Sequence, residues 1–188
     1  AFAARSQART AAAQEAGFYD GEIAPIEVRV SRKETKMFAA DEHARAGTTV
    51  EKLAKLPTPF REGGSVTAGN ASGINDGACA VIIASKEAVE KYGLTPKAKI
   101  LGLAVAGIAP RIMGFGPAPA SKKILSRLGL TIDDMDVVEL NEAFAAQALA
   151  TLRALGVPDD ADFVNPNGGA IAMGHPLGMS GARMVVSA

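Results

Sequence analysis

The chain has 188 residues, room for one large domain or two small ones, and 48% of them are apolar, enough for a sizeable core. Lys+Arg and Asp+Glu are equal at 20 each, so no charge excess or basic run points to nucleic acid or an anionic membrane as a partner. The apolar stretches, such as Ala78 to Ala84, fall far short of the roughly 20 residues that a membrane span needs.

In chain order, Phe2 to Ala16 is Ala-rich and free of Pro and Gly, which predicts a helix stopped by Gly17. Ile26, Val28 and Val30 alternate with polar residues and predict a half-exposed strand. Ser31 to Phe60 is the most polar stretch and reads as a loop-rich surface region with one short helix near Val50 to Leu56. Ser65 to Asn75 is turn-prone, and Ala78 to Ala84 then reads as a strand buried on both faces. Ser85 can cap a helix ending near Gly93. Ile100 to Ala106 predicts another apolar strand, Pro119 to Leu128 an amphipathic helix, and Val137 to Leu140 a short strand. Glu142 to Leu155 predicts a helix closed by Gly156, and Phe163 to Asn165 a strand end before a glycine-rich segment. Strands alternating with helices argue for an α/β fold with a mixed or parallel sheet. No basic-then-apolar signal segment opens the chain, and Gly181 to Ala188 is an unfinished helical pattern, so both ends read as cut.

Two histidines are available for chemistry. His43 lies among charges in Asp41-Glu42-His43-Ala44-Arg45 and reads as a solvated surface residue. His175 lies in Gly168-Gly-Ala-Ile-Ala-Met-Gly-His-Pro-Leu-Gly178, where glycines allow close backbone approach and Pro176 stiffens the chain after the imidazole. An imidazole titrates near neutrality, so a base and a buried, hydrogen-bonded structural histidine are equal readings of the spacing. Asn141 sits between a strand and a helix. The simpler reading is a helix N-cap, with Glu142 in the first turn. The other is an amide presented at the C-terminal end of a strand, where α/β proteins place ligands. Gly114-x-Gly116-x-x-Pro119 has Pro where a dinucleotide fingerprint needs Gly, and neither a phosphate loop nor a nucleophile elbow occurs. The single cysteine, Cys79, excludes a disulfide framework, fits a reducing, cytoplasmic setting, and reads as a small buried hydrophobe. With two distant histidines it makes a poor metal set.

Three segments together resemble the motifs of the thiolase family, in the family's order: Val66-Thr-Ala-Gly-Asn-Ala-Ser-Gly-Ile-Asn-Asp-Gly77, Asn141-Glu-Ala-Phe-Ala-Ala-Gln147 and Asn165-Pro-Asn-Gly-Gly-Ala-Ile-Ala-Met-Gly-His-Pro-Leu-Gly-Met-Ser-Gly-Ala-Arg183. Within the family, the Phe2 to Gln14 opening, Asn165-Pro-Asn167 and His175-Pro-Leu-Gly-Met179 are most similar to bacterial 3-oxoadipyl-coenzyme A thiolases of aromatic catabolism through the beta-ketoadipate pathway. The resemblance implies a thiolytic acyltransferase, or the reverse Claisen condensation. In such an enzyme His175 deprotonates a nucleophilic cysteine. Asn141 holds a water that, with the imidazole N–H, stabilises the enolate on the acetyl thioester oxygen. The resemblance further implies that Ser72 contacts the pantetheine arm of coenzyme A, that Ala68, Phe60, Met113, Ala143 and Phe144 wall its tunnel, and that Arg45 lies near the nucleotide phosphates. Coenzyme A and acetyl-coenzyme A are then substrates, with no tightly bound cofactor and no metal. The expected partners are acyl-coenzyme A substrates and, at full length, a homodimer or homotetramer.

The implied fold is a thiolase-like layered α-β-α-β-α arrangement, incomplete here. Residues 1–70 would be the rear of a loop subdomain, 71–96 the last strand and helix of the N-terminal half, and 97–188 a truncated C-terminal half. The family's two reactive cysteines fall upstream and downstream of everything in this chain, and Cys79 matches neither. The expectation is a chain inactive alone, with exposed sheet edges and apolar faces. The alternative is a non-catalytic coenzyme A-binding or assembly subunit.

Overall fold

The computed structural model describes residues 1–188. Helix α1 (Phe2–Glu15) forms from the Ala-rich opening and stops where Gly17 takes a left-handed φ of 70°. Phe2, Ala3, Ser6, Gln7, Thr10 and Ala13 make its buried stripe, at the spacing of a single helix face. The polar region holds an antiparallel hairpin of β1 (Ile26–Arg29) and β2 (Thr35–Phe38), with Ile26 opposite Phe38 and Arg29 opposite Thr35. The second strand, Thr35–Phe38, was not legible in the polar run. A single helical turn, α2 (Val50–Leu53), is capped by Thr49, whose side chain accepts from Lys52 N–H.

Ser85 caps α3 (Lys86–Tyr92), accepting from Ala88 N–H, and Gly93 ends it in the left-handed region. Helix α4 (Pro117–Leu128) starts two residues before the expected Pro119 and follows a 3₁₀ segment, Pro110–Phe115. Helix α5 covers Ala145–Leu155, α6 is the four-residue turn Ala170–Met173, and α7 covers Ser180–Ser187. The turn α6 lies inside a segment whose glycines had hidden it.

The core is small and sits where α1, α5 and α6 meet. Phe2, Ala3, Leu140, Ala145, Ala148, Leu152, Val157, Val164 and Ile171 form it. Full burial of Leu152 and Val164 stabilises this junction by about 1.5–3 kcal/mol each. Beneath it, Val138 and Val164 form a parallel bridge, with Val138 N–H donating to Phe163 O and Asn165 N–H to Val138 O, both at 2.9 Å. Of the expected strands at 137–140 and 163–165 this single bridge is what forms.

The expected strands at Ala78 to Ala84 and Ile100 to Ala106 are corrected more sharply. Neither pairs with another strand, and Ile82, Ile83, Leu103 and Val105 are 90, 74, 77 and 76% exposed. Their sequences carry the apolar composition of central strands, but strand hydrogen bonds are non-local and no segment of this chain supplies the partner. They are exposed apolar faces of the kind anticipated above, but they form no sheet edge. Cys79, expected to be buried, is half-buried for the same reason. No helix is long and apolar enough to cross a membrane.

Candidate active site

The glycine-rich segment delivers His175 by a defined route. Gly174 adopts φ 93° and ψ 170°, a backbone region essentially closed to other residues, and turns the chain out of α6. Pro176 O then accepts hydrogen bonds from Met179 and Ser180 N–H, both at 2.9 Å, opening α7. Ser180 is buried under the imidazole.

Ser180 Oγ donates to Pro176 O at 3.0 Å and lies 2.6 Å from His175 Nδ1, so the hydroxyl holds one side of the ring. An Nδ1–H given to that oxygen is the tautomer that leaves the Nε2 lone pair to a general base. Asn141 Nδ2 lies 3.2 Å from Nε2. Asn141 Oδ1 is buried and has no partner among the protein's donors. It is an acceptor beside a base, able to orient a small donor molecule.

Asn141 is not the helix cap that its position suggested. Helix α5 begins at Ala145, and the residue before it, Phe144, makes no side-chain cap. Asn141 through Phe144 instead form an extended turn fastened to the segment from Asn70 to Ser72. Ser72 N–H donates to Ala143 O at 3.0 Å and Ser72 Oγ to the same oxygen at 3.3 Å, Ala145 N–H donates to Asn70 O at 2.9 Å, and Ala71 bridges Phe144. Two motifs about 70 residues apart in sequence thus share one wall with the His–Asn pair.

Ala68 lies in the turn at the start of that wall, held by Thr67 N–H donating to Asn70 Oδ1 at 2.8 Å. Phe60 is 75% exposed beside a shallow cavity lined by Arg61, Gly63, Gly64, Ser65 and Val66. Met113 is 77% exposed on the 3₁₀ segment, which packs on α5 where Gly114 meets Gln147. Arg45 is exposed and is tied down by its backbone, its N–H donating to Gln7 Oε1 at 2.7 Å. The structure gathers His175, Asn141, Ser72, Ala143 and Phe144; Phe60, Met113 and Arg45 have no hydrogen bond to that group.

Four residues that the motifs did not single out brace the site. Glu142, 1% exposed, accepts from Ser6 Oγ at 2.6 Å, Asn165 Nδ2 at 2.9 Å and Ile171 N–H at 3.1 Å. Burial pushes its pKa above the ordinary carboxylate range, and those three donors pull against the shift. Asn165, at a left-handed φ of 46°, uses its amide as a strand would, accepting from Leu140 N–H at 2.7 Å and donating to Leu140 O at 2.8 Å. Ser180 sets the imidazole. Asn75 accepts from His175 N–H at 3.2 Å, and its Nδ2 lies 3.4 Å from His43 Nδ1. His43, read from sequence as a solvated surface residue, is therefore half-buried and in contact with the site. The available signals were an acid and an asparagine inside apolar and glycine-rich runs, where a side chain must be paired or bear unusual backbone angles.

Comparison with known proteins identifies the family. Residues 1–87 match the family description "Thiolase, N-terminal domain" and residues 94–188 "Thiolase, C-terminal domain". The chain is 62% identical over 188 residues to beta-ketoadipyl-CoA thiolase of Pseudomonas aeruginosa, covering 100% of this chain and 47% of that protein. Among solved structures it superposes on Bacillus anthracis acetyl-CoA acetyltransferase with a TM-score of 0.94 at 47% identity, covering 98% of this chain and 46% of that one. It superposes on human mitochondrial 3-ketoacyl-CoA thiolase in complex with CoA with a TM-score of 0.91 at 53% identity, covering 99% and 45%. The chain thus spans about half the length of the curated relatives it matches, and it belongs to the thiolase family.

Proposed function

We propose that this chain supplies the His–Asn half of an acyl-coenzyme A thiolase centre, with the attacking cysteine coming from residues outside these 188. The observation that carries the reading is the His175–Asn141 pair: an imidazole Nε2, its ring held from behind by Ser180, beside an amide with a free buried oxygen. In this reading Nε2 takes the proton of a cysteine thiol. The thiolate adds to the 3-oxo carbon of the acyl chain, and the bond between that carbon and the α-carbon breaks toward acetyl-coenzyme A. The electron pair of that bond becomes an enolate on the acetyl thioester. The N–H gained at Nε2 and a water held by Asn141 Oδ1 then face the enolate oxygen as donors. Proton return to the α-carbon falls to the family's second cysteine, also outside this chain.

Ser72, Ala68, Ala143, Phe144, Phe60 and Met113 would line the pantetheine path, with Arg45 at the phosphate end. The substrate we favour is 3-oxoadipyl-coenzyme A. Its support is the identity to beta-ketoadipyl-CoA thiolases.

The test is coenzyme A-dependent cleavage of 3-oxoadipyl- and acetoacetyl-coenzyme A by the product of the whole gene. Turnover that falls by about a thousandfold in His175→Asn, with coenzyme A binding intact, supports the reading. Wild-type turnover that survives His175→Asn refutes it. Coenzyme A binding without any turnover would make the protein a non-catalytic coenzyme A-binding subunit.

A further inference from the structure

The two histidines of this chain are joined by one side chain, Asn75. The N–H of His175 is an obligate donor, so the oxygen of Asn75, Oδ1, must face it, at 3.2 Å. That choice turns Nδ2 toward His43 Nδ1, 3.4 Å away, where a ring nitrogen can accept from it. The His175 N–H thus sets which way the Asn75 amide points, and the His43 ring braces the other end of that amide. The packing leaves no slack. A Cβ on Gly174 would come within 2.5 Å of Asn75 Cγ, and one on Gly73 within 2.7 Å of Asn75 Oδ1 and 2.9 Å of His43 Nε2. Both glycines serve to let this contact form.

We infer that Asn75, braced by His43, is a positioning residue that sets the backbone at Gly174–His175 and so the placement of Nε2 against Asn141. The inference rests on the reading of His175 as the base. It makes the polar region, which carries His43, part of the catalytic apparatus rather than a surface ornament. A flipped Asn75 amide would set Nδ2 against the His175 N–H, donor against donor, and the loop would have to move.

The experiment is amide hydrogen exchange, read by mass spectrometry on the peptide spanning Met173 to Ser180, with acyl-coenzyme A kinetics alongside, on the product of the whole gene. In Asn75→Ala and His43→Ala the peptide should exchange about tenfold faster. In His43→Gln, whose side-chain oxygen can still accept from Nδ2, exchange should return to within about twofold of wild type. Where turnover is measured, Asn75→Ala should lower kcat by about ten- to a hundredfold and leave KM near wild type. Unchanged exchange in Asn75→Ala, or equal exchange in His43→Ala and His43→Gln, overturns the inference. A wild-type protein without turnover would sink the thiolase reading but leave the exchange comparison standing as the test of this one.

Discussion

Replacing Glu142 with Gln separates a buried carboxylate that locks two turns together from one that merely fills space. Its two oxygens receive three donors, from Ser6, Asn165 and Ile171, at 2.6, 2.9 and 3.1 Å. A Gln amide has one oxygen. With its nitrogen toward Asn165 it meets Nδ2 of a side chain that cannot flip, because Leu140 N–H needs Asn165 Oδ1. With its nitrogen the other way, the Ser6 hydroxyl can reverse and accept, but Ile171 N–H loses its acceptor. Either choice strands one buried donor, which costs about 1–3 kcal/mol. Glu142→Ala strands all three and leaves a cavity, for about 4 kcal/mol or more. Urea unfolding followed by circular dichroism reads both as a lower midpoint at unchanged slope. A Gln variant within about 0.5 kcal/mol of wild type would refute the argument, since surface substitutions already produce changes of that size.

Three further outcomes follow from the same geometry. Burial holds Glu142 protonated to higher pH than its ordinary value of 4.5, so its contribution to stability is full below that pH and shrinks as pH rises through the raised folded value; the stability gap between wild type and Glu142→Gln should therefore narrow as pH rises above 4.5, and a widening gap would contradict the assignment. Gly169→Ala places a Cβ within 2.6 Å of Oε1 and 2.7 Å of Oε2 of that immobile carboxylate, so stability should fall by about 2 kcal/mol or more in the same unfolding assay. Ser180→Ala releases Nδ1 and lets the ring take the other tautomer, so in a turnover assay kcat should fall about tenfold or more with KM unchanged, and nitrogen-15 spectra should show a mixed His175 tautomer in place of a single Nδ1–H form.

What the sequence made legible divides along local and non-local lines. Helices whose start and stop are written in adjacent residues were readable: Gly17 after α1, Ser85 and Gly93 around α3, Gly129 after α4 and Gly156 after α5. Of the strands, only the alternating Ile26-to-Val30 stretch was readable, as β1; the long apolar ones were not, because a strand is defined by its partner. Ala78 to Ala84 and Ile100 to Ala106 have the composition of buried strands and lie exposed without ladders. Composition encodes the environment a segment is suited to, and pairing depends on which other segments are present. The match to a family whose members run about twice this length explains both facts together.

The site shows the same division in a more instructive form. His175 and Asn141 could be named from motifs, but the role that residue type alone suggested for Asn141, a helix cap, was wrong. The reason is physical: a capping asparagine spends its side-chain oxygen on a backbone N–H, whereas Asn141 keeps that oxygen unpartnered and spends its nitrogen on the imidazole. Holding such an arrangement open requires the backbone to be fixed by something else. Glu142 does this from the next position, pinning α1 through Ser6, the backbone of Leu140 through Asn165, and the start of α6 through Ile171. Asn75 does it from the opposite side through the His175 N–H. Of the residues in contact with the reacting pair, those whose polar atoms are all satisfied are therefore the scaffold, and the one left with a free buried acceptor is where chemistry can enter. His43 was misread for the complementary reason. Its sequence neighbours are charged, but its spatial neighbours are Gly73 and Asn75, some 30 positions away. Charge in the flanking sequence describes the loop a histidine travels on, not the surface it finally packs against.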